Sequence, residues 1–244
     1  MISQYSKAED IDREFWQDYE RALYWLRKKM DAKSQRMKLV DAGWDVYNFR
    51  QKYSMSEPVY YNSPQTGNRW LTWITMKRDG KGDMHFYMRA VLYLYTEAYM
   101  TMMLALKMAE EDDEGIIHKM TNTVNVYTAH MFQRMADKDR LGVDMSDRVS
   151  VMRNFTEFVA AGWSDTRPPR DGEKHTQILF RTPASWLRGH VVYVGDRCVN
   201  YYRTFWADKS MSYKQMNEVK KFKKFADMKM SEKQNKDGDS IAGQ

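Results

Sequence analysis

Cysteine is almost absent. Cys198 is the single one in 244 residues, which excludes an internal disulfide framework and any zinc site built on cysteine pairs. Proline and glycine are sparse, at 5 and 12 residues, so no Pro/Gly-rich low-complexity segment arises and their few clusters mark turns. No run reaches the roughly 18 apolar residues of a membrane-spanning helix; the closest, 90–106, carries tyrosine and threonine and is broken by Glu97. The histidines (85, 118, 130, 175 and 190) never fall as HxH, HxxxH or HExxH, which removes the motif for a zinc hydrolase. Phosphate loops of the GxxxxGK[ST] or GxGxxG kind and a GxSxG elbow are missing too, so a nucleotide-driven enzyme or an α/β-hydrolase has no support. No cofactor and no metal are expected.

What is present is a globular composition, 43% apolar and 14% aromatic, long enough to bury a substantial core. Twenty methionines are available to fill irregular core gaps or to leave adaptable apolar surface. Thirty-nine basic against 33 acidic residues give a net charge of +6 and a pI near 9.1. That balance permits a polyanionic partner without arguing for one. The first ten residues, MISQYSKAED, are polar, so a cytoplasmic location and no membrane association are expected.

Ser6-Lys-Ala-Glu9 has the form of a capping box. Ile11, Phe15, Trp16, Tyr19, Leu23 and Leu26 follow at helical spacing to about Met30. A weaker helical stretch is expected at 38–53, from Val40, Trp44, Val46 and Tyr47, and an irregular connection at 54–68. Arg69–Arg78 and Met84–Tyr95 alternate like strands around a turn at 79–83. Residues 96–108 fit strand or helix, 109–115 form an acidic loop, and 121–127 a short strand. Helices are expected at 128–137 and from Asp144 or Ser146 to about 160, with Val149, Met152, Phe155 and Phe158 inward. Strand-like runs follow at 175–182, 187–194 and 198–206, and a last helix at 212–230. From Ser231 onward little can be buried, and disorder is expected. The fold class is α+β, with a helical and β N-terminal half (1–120), an α+β domain of helix–helix–three strands–helix (121–230) and a tail (231–244).

The candidate chemistry lies in the second half. His130 and Arg134, four apart in TAHMFQRM, share one helix face. RNA cleavage by its own 2′-hydroxyl needs a base, an acid and cations on the phosphate; His suits the proton transfers and Arg the phosphate oxygens. With a three-residue loop at 195–197, Arg188 lies opposite Thr204 and His190 opposite Tyr202, these side chains and Asn200 sharing one face. Leu187, Val191, Tyr193, Val199, Tyr201 and Phe205 then form the other face, with Arg203 the misfit.

The runs TAHMFQRMADKDRLGVDMSDRV and GHVVYVGDRCVNYYRTFW resemble small bacterial domains related to BrnT-type toxins, of the barnase–EndoU–colicin–RelE group of metal-independent ribonucleases. His130, Arg134, Arg140 and Thr204 fall on that pattern, over residues 128–206. The resemblance implies a RelE/BrnT-like arrangement, a toxin or mobile-element effector role, and RNA and a cognate antitoxin as partners. The expected function is therefore metal-independent RNA cleavage. His130 serves as base or acid, Arg134 and Arg188 as phosphate clamps, Thr204 as an orienting hydroxyl, and His190 as the second proton-transfer candidate. Arg140, Tyr202 and Lys220, Lys221, Lys223 and Lys224 are the candidate nucleic-acid contacts. A non-catalytic interaction protein or nucleic-acid-binding module of phage or mobile-element origin is the alternative.

Overall fold

The computed structural model describes residues 1–3, 5–31, 39–46, 49–78, 81–95, 100–111, 117–137, 146–160 and 162–225. Arg140 and the tail from 231 lie outside these residues. The fold is mixed α and β, with one large, mostly antiparallel sheet and four helices among the described residues. The strands are β1 (Leu39–Val46), β2 (Phe49–Ser56), β3 (Val59–Asn62), β4 (Arg69–Arg78), β5 (Met84–Tyr95), β6 (Met100–Glu111) and β7 (Ile117–Tyr127), then β8 (Trp163–Arg167), β9 (Thr176–Arg181), β10 (Ser185–Val194) and β11 (Arg197–Ala207). Their order is β1-β2-β4-β5-β6-β7-β11-β10-β9-β8, with β3 on β4. Among the described residues only β7 and β11 pair in parallel, and strands from before and after residue 120 thus join one sheet.

Helices cover both faces. On the first, α2 (Ala129–Asp137) buries Met131, Phe132 and Met135, and α3 (Arg148–Val159) buries Val151, Met152 and Phe155, against Trp73, Tyr127, Leu187, Tyr202 and Phe205. On the second, α1 (Ala8–Asp31) packs Ile11, Phe15 and Trp16 on Trp70, Leu92, Val126 and Val199. A fourth helix, α4 (213–225), sets Val219 and Phe222 on Leu179, Trp186 and Trp206. Because both faces are covered, interior strand β4 is buried at six consecutive positions, Trp70 to Thr75, although its sequence alternates like a half-exposed strand.

Two buried carboxylates, Asp18 and Glu157, are paired, as desolvation demands. Asp18 of α1 accepts from Ser63 Oγ at 2.7 Å, Asn68 Nδ2 at 2.8 Å and the Thr66 hydroxyl, pinning the 63–68 turn. Glu157 of α3, 0% exposed, accepts from Thr75 Oγ1 and Arg89 Nε, each at 2.8 Å, and pairs with Lys77 Nζ at 2.9 Å.

Several expectations change. Within the stretch expected as helix, 39–46 and 49–53 are instead paired strand, in β1 and β2: Val40, Ala42, Trp44 and Val46 also fit a two-residue period, and strand pairing outweighs their i,i+4 spacing. Residues 100–111 are strand, 59–62 form β3, and β8 was not foreseen. Ser6 Oγ accepts from the Ser3 N–H at 2.9 Å instead of closing a capping box. The α3 cap is Asp147, accepting from the Ser150 N–H at 3.1 Å, in place of Asp144 or Ser146.

Candidate functional site

The β10–β11 hairpin builds the site through two local irregularities. Its turn has two residues, Gly195-Asp196, with Gly195 at φ +63° and Val194 paired to Arg197, not the three-residue loop expected. This register sets His190 opposite Tyr201 and Gly189 opposite Tyr202. A β-bulge then inserts Arg203, restoring Arg188 opposite Thr204. The bulge divides the strand's side chains between the faces differently from a regular hairpin. Tyr202 and Asn200 turn into the first face, where Tyr202 stacks on Tyr127 at 5.1 Å and the Asn200 amide donates to Asn125 Oδ1 at 3.0 Å. Tyr202 is 1% exposed, so its expected role as a base-stacking ring is corrected: it is core.

Gly189 makes the close approach possible. A Cβ there would stand 1.9 Å from the Tyr201 carbonyl oxygen. Gly189→Ala is therefore expected to cost about 1–3 kcal/mol by overpacking, read as a lower denaturation midpoint.

On the second face, Arg188, His190, Arg203 and Thr204 line a cleft of about 380 Å³ with Lys174, His175, Gln177 and Glu173. The His175 and His190 rings stack at 5.1 Å, and His190 stacks at 5.1 Å on Tyr201 beneath it. Burial, then the neighbouring Arg203 and His175, depress the His190 pKa to about 4. Glu173 is held at about 2, chiefly by its hydrogen bonds from Arg167 at 2.6 and 2.8 Å. That fork closes the 168–172 loop beside the cleft. Arg188 Nε lies 2.7 Å from Glu218 Oε1 of α4.

Of the sequence-derived candidates, Arg188, His190 and Thr204 come together. His130 and Arg134 do not join them: both are exposed on α2 and neither lines the cleft. The expected convergence of the two segments is corrected for a physical reason. Met131, Phe132 and Met135 commit α2 to the core of the first face, whereas Arg188 and Thr204 project on the second. The α4 lysines separate. Lys221 and Lys224 line hollows continuing from the cleft, Lys220 is exposed, and Lys223 lies over the Trp186 ring at 5.7 Å. Sequence reasoning missed His175 and Arg203. Arg203 did carry a signal, since an arginine on an otherwise apolar strand face marks a break in alternation.

The site offers two imidazoles, one held neutral at physiological pH, next to guanidinium groups and a hydroxyl. That is a donor set for a phosphate with proton transfer on either side. Among the described residues no three His, Cys, Asp or Glu side chains gather as metal ligands, and no helix is long and apolar enough to cross a membrane. Comparison with protein-family models, curated proteins and solved structures finds no match to this chain.

Proposed function

We propose that the protein cleaves RNA through the 2′-hydroxyl, without a metal ion, in the cleft between β9–β11 and the 173–177 segment. The observation that carries this reading is the stacked His175–His190 pair walled by Arg188, Arg203 and Thr204. His190 takes the 2′-hydroxyl proton as the oxygen attacks phosphorus. The P–O5′ bond breaks, and His175 protonates the departing oxygen. The products are a 2′,3′-cyclic phosphate and a 5′-hydroxyl. Arg188 and Arg203 hold the non-bridging oxygens and the Thr204 hydroxyl orients them. Of the described residues that carry the resemblance to the RelE/BrnT group, Thr204 alone lines this cleft, so the reading rests on the cleft itself, and the proton transfer expected of His130, as base or acid, passes to His190 and His175.

A general base must be unprotonated, so activity falls as pH drops through the pKa of His190. The acid limb of kcat/KM is expected near pH 4, not near the roughly 6.5 of a free imidazole; a limb at the higher value assigns the base elsewhere. The direct experiment incubates the purified chain with an RNA oligonucleotide in excess chelator. Cyclic-phosphate ends are expected from the wild type and from His130→Ala, and none from His190→Ala. The reverse pattern overturns the site.

A protein-interaction reading has its own support in Met84, Phe86 and Tyr87, which stand exposed at the start of β5. It predicts a partner complex, such as with a cognate antitoxin, that tolerates His190→Ala.

A further inference from the structure

We infer that the cleft continues into a subsite for the nucleotides flanking the scissile bond, and that this subsite selects single-stranded RNA. The inference rests on the reading of the cleft as an RNA site. Glu173 and Arg188 form a wall shared with a second hollow of about 470 Å³, whose far side is α4 with Tyr213, Lys214, Asn217, Lys221 and Glu218, the last paired to Arg188. Arg167, Arg170 and Lys221 in turn border a third hollow of about 370 Å³, with Pro168, Pro169 and Phe225 as its apolar wall and Lys224 at its rim. From the histidines outward, cations thus recur along one path: Arg203, Arg188, Arg170, Lys221, Lys224.

Rings accompany the cations. Tyr213 is 75% exposed at the start of α4 and takes no part in the cluster that seats the helix, which uses Val219 and Phe222. Tyr213, Asn217, Lys221 and Lys224 follow one another at steps of three and four, a stripe distinct from the anchoring one. A polar helix face needs no exposed aromatic ring for its own stability. Beside phosphate-binding lysines, such a ring is a platform for an unpaired base, and Pro168–Pro169 with Phe225 is a second. A duplex keeps its base faces stacked internally and cannot use either.

The test compares a dinucleotide with a pentanucleotide extended on one side or the other of the same scissile step, using the full chain. For one of the two extensions, KM falls about tenfold, the scale of one stacked base, while kcat changes little. Tyr213→Ala abolishes most of that gain and leaves the dinucleotide's KM unchanged, whereas Tyr213→Phe retains it; Lys221→Ala also reduces the gain. A blunt duplex of the same sequence is bound more weakly than the single strand. KM independent of length, an equal effect of Tyr213→Ala on the dinucleotide, or equal binding of the duplex overturns the subsite. Where no oligonucleotide is cleaved, the catalytic reading falls. Fluorescence anisotropy of the labelled pentanucleotides with wild type and Tyr213→Ala then decides the subsite by itself, weaker binding to the variant supporting it and unchanged binding overturning it.

Discussion

Replacing His190 by alanine is expected to lower kcat/KM for RNA cleavage by about 10²- to 10⁴-fold, the range for losing a positioned general base. The site is suited to separating this loss from a folding defect. His190 is half-buried between His175 and Tyr201, and its removal forfeits stacking worth about 0.5–1.5 kcal/mol per ring pair without emptying a core. Arg188 and Arg203, the proposed phosphate ligands, still line the cleft, so RNA affinity should change far less than turnover. His175→Ala should show a comparable loss, and the leaving group tells the two variants apart: one that needs no proton rescues the variant lacking the acid and not the variant lacking the base. Rescue of neither variant, with RNA still bound, argues that the histidines serve binding alone.

Glu157→Ala carries the largest expected effect on stability, about 3 kcal/mol, because removing one member of a buried ionic cluster strands the others. Arg89 and Lys77, 23% and 27% exposed, lose their shared carboxylate, and the buried Thr75 hydroxyl loses its acceptor. Burial alone raises the Glu157 pKa, yet the hydrogen bonds and charges of Arg89 and Lys77 outweigh it and leave the carboxyl below its usual range. Since its folded pKa is depressed, the stabilisation is present at neutral pH and lost as pH falls through the carboxylate range. A urea titration at pH 7 should show the midpoint falling sharply in Glu157→Ala, with the gap to wild type narrowing in acid. Equal midpoints at pH 7 contradict a stabilising role for this cluster.

Periodicity made much of the fold legible. The α1 stripe Ile11–Phe15–Tyr19, α2, and the inward Met152, Phe155 and Phe158 of α3 follow from local spacing because each helix buries one continuous face, and the β4–β5 hairpin follows from its two strand-like runs about a turn. The β1–β2 hairpin was illegible where Val40, Trp44 and Val46 satisfy two periods at once, and only pairing partners decide between them. Arg188 opposite Thr204 was expected for the wrong reason: a shorter turn and a bulge change the register in compensating ways. Between those two irregularities the faces exchange, so Tyr202 enters the core and Arg203 joins the cleft. No spacing rule locates a bulge, although Gly189 beside Arg188 and the out-of-place Arg203 were its traces. His175 escaped notice because β9 pairing, not proximity in sequence, brings it to His190.

The most direct test of the central claim offers the purified protein, in chelator, an oligoribonucleotide and the same sequence with every 2′-hydroxyl replaced by hydrogen. Attack by the 2′-oxygen predicts that the RNA is cut to 2′,3′-cyclic phosphate ends, dependent on His190, while the deoxy strand is bound and left intact. Equal cleavage of both strands, or binding of both with no cleavage of either, contradicts it.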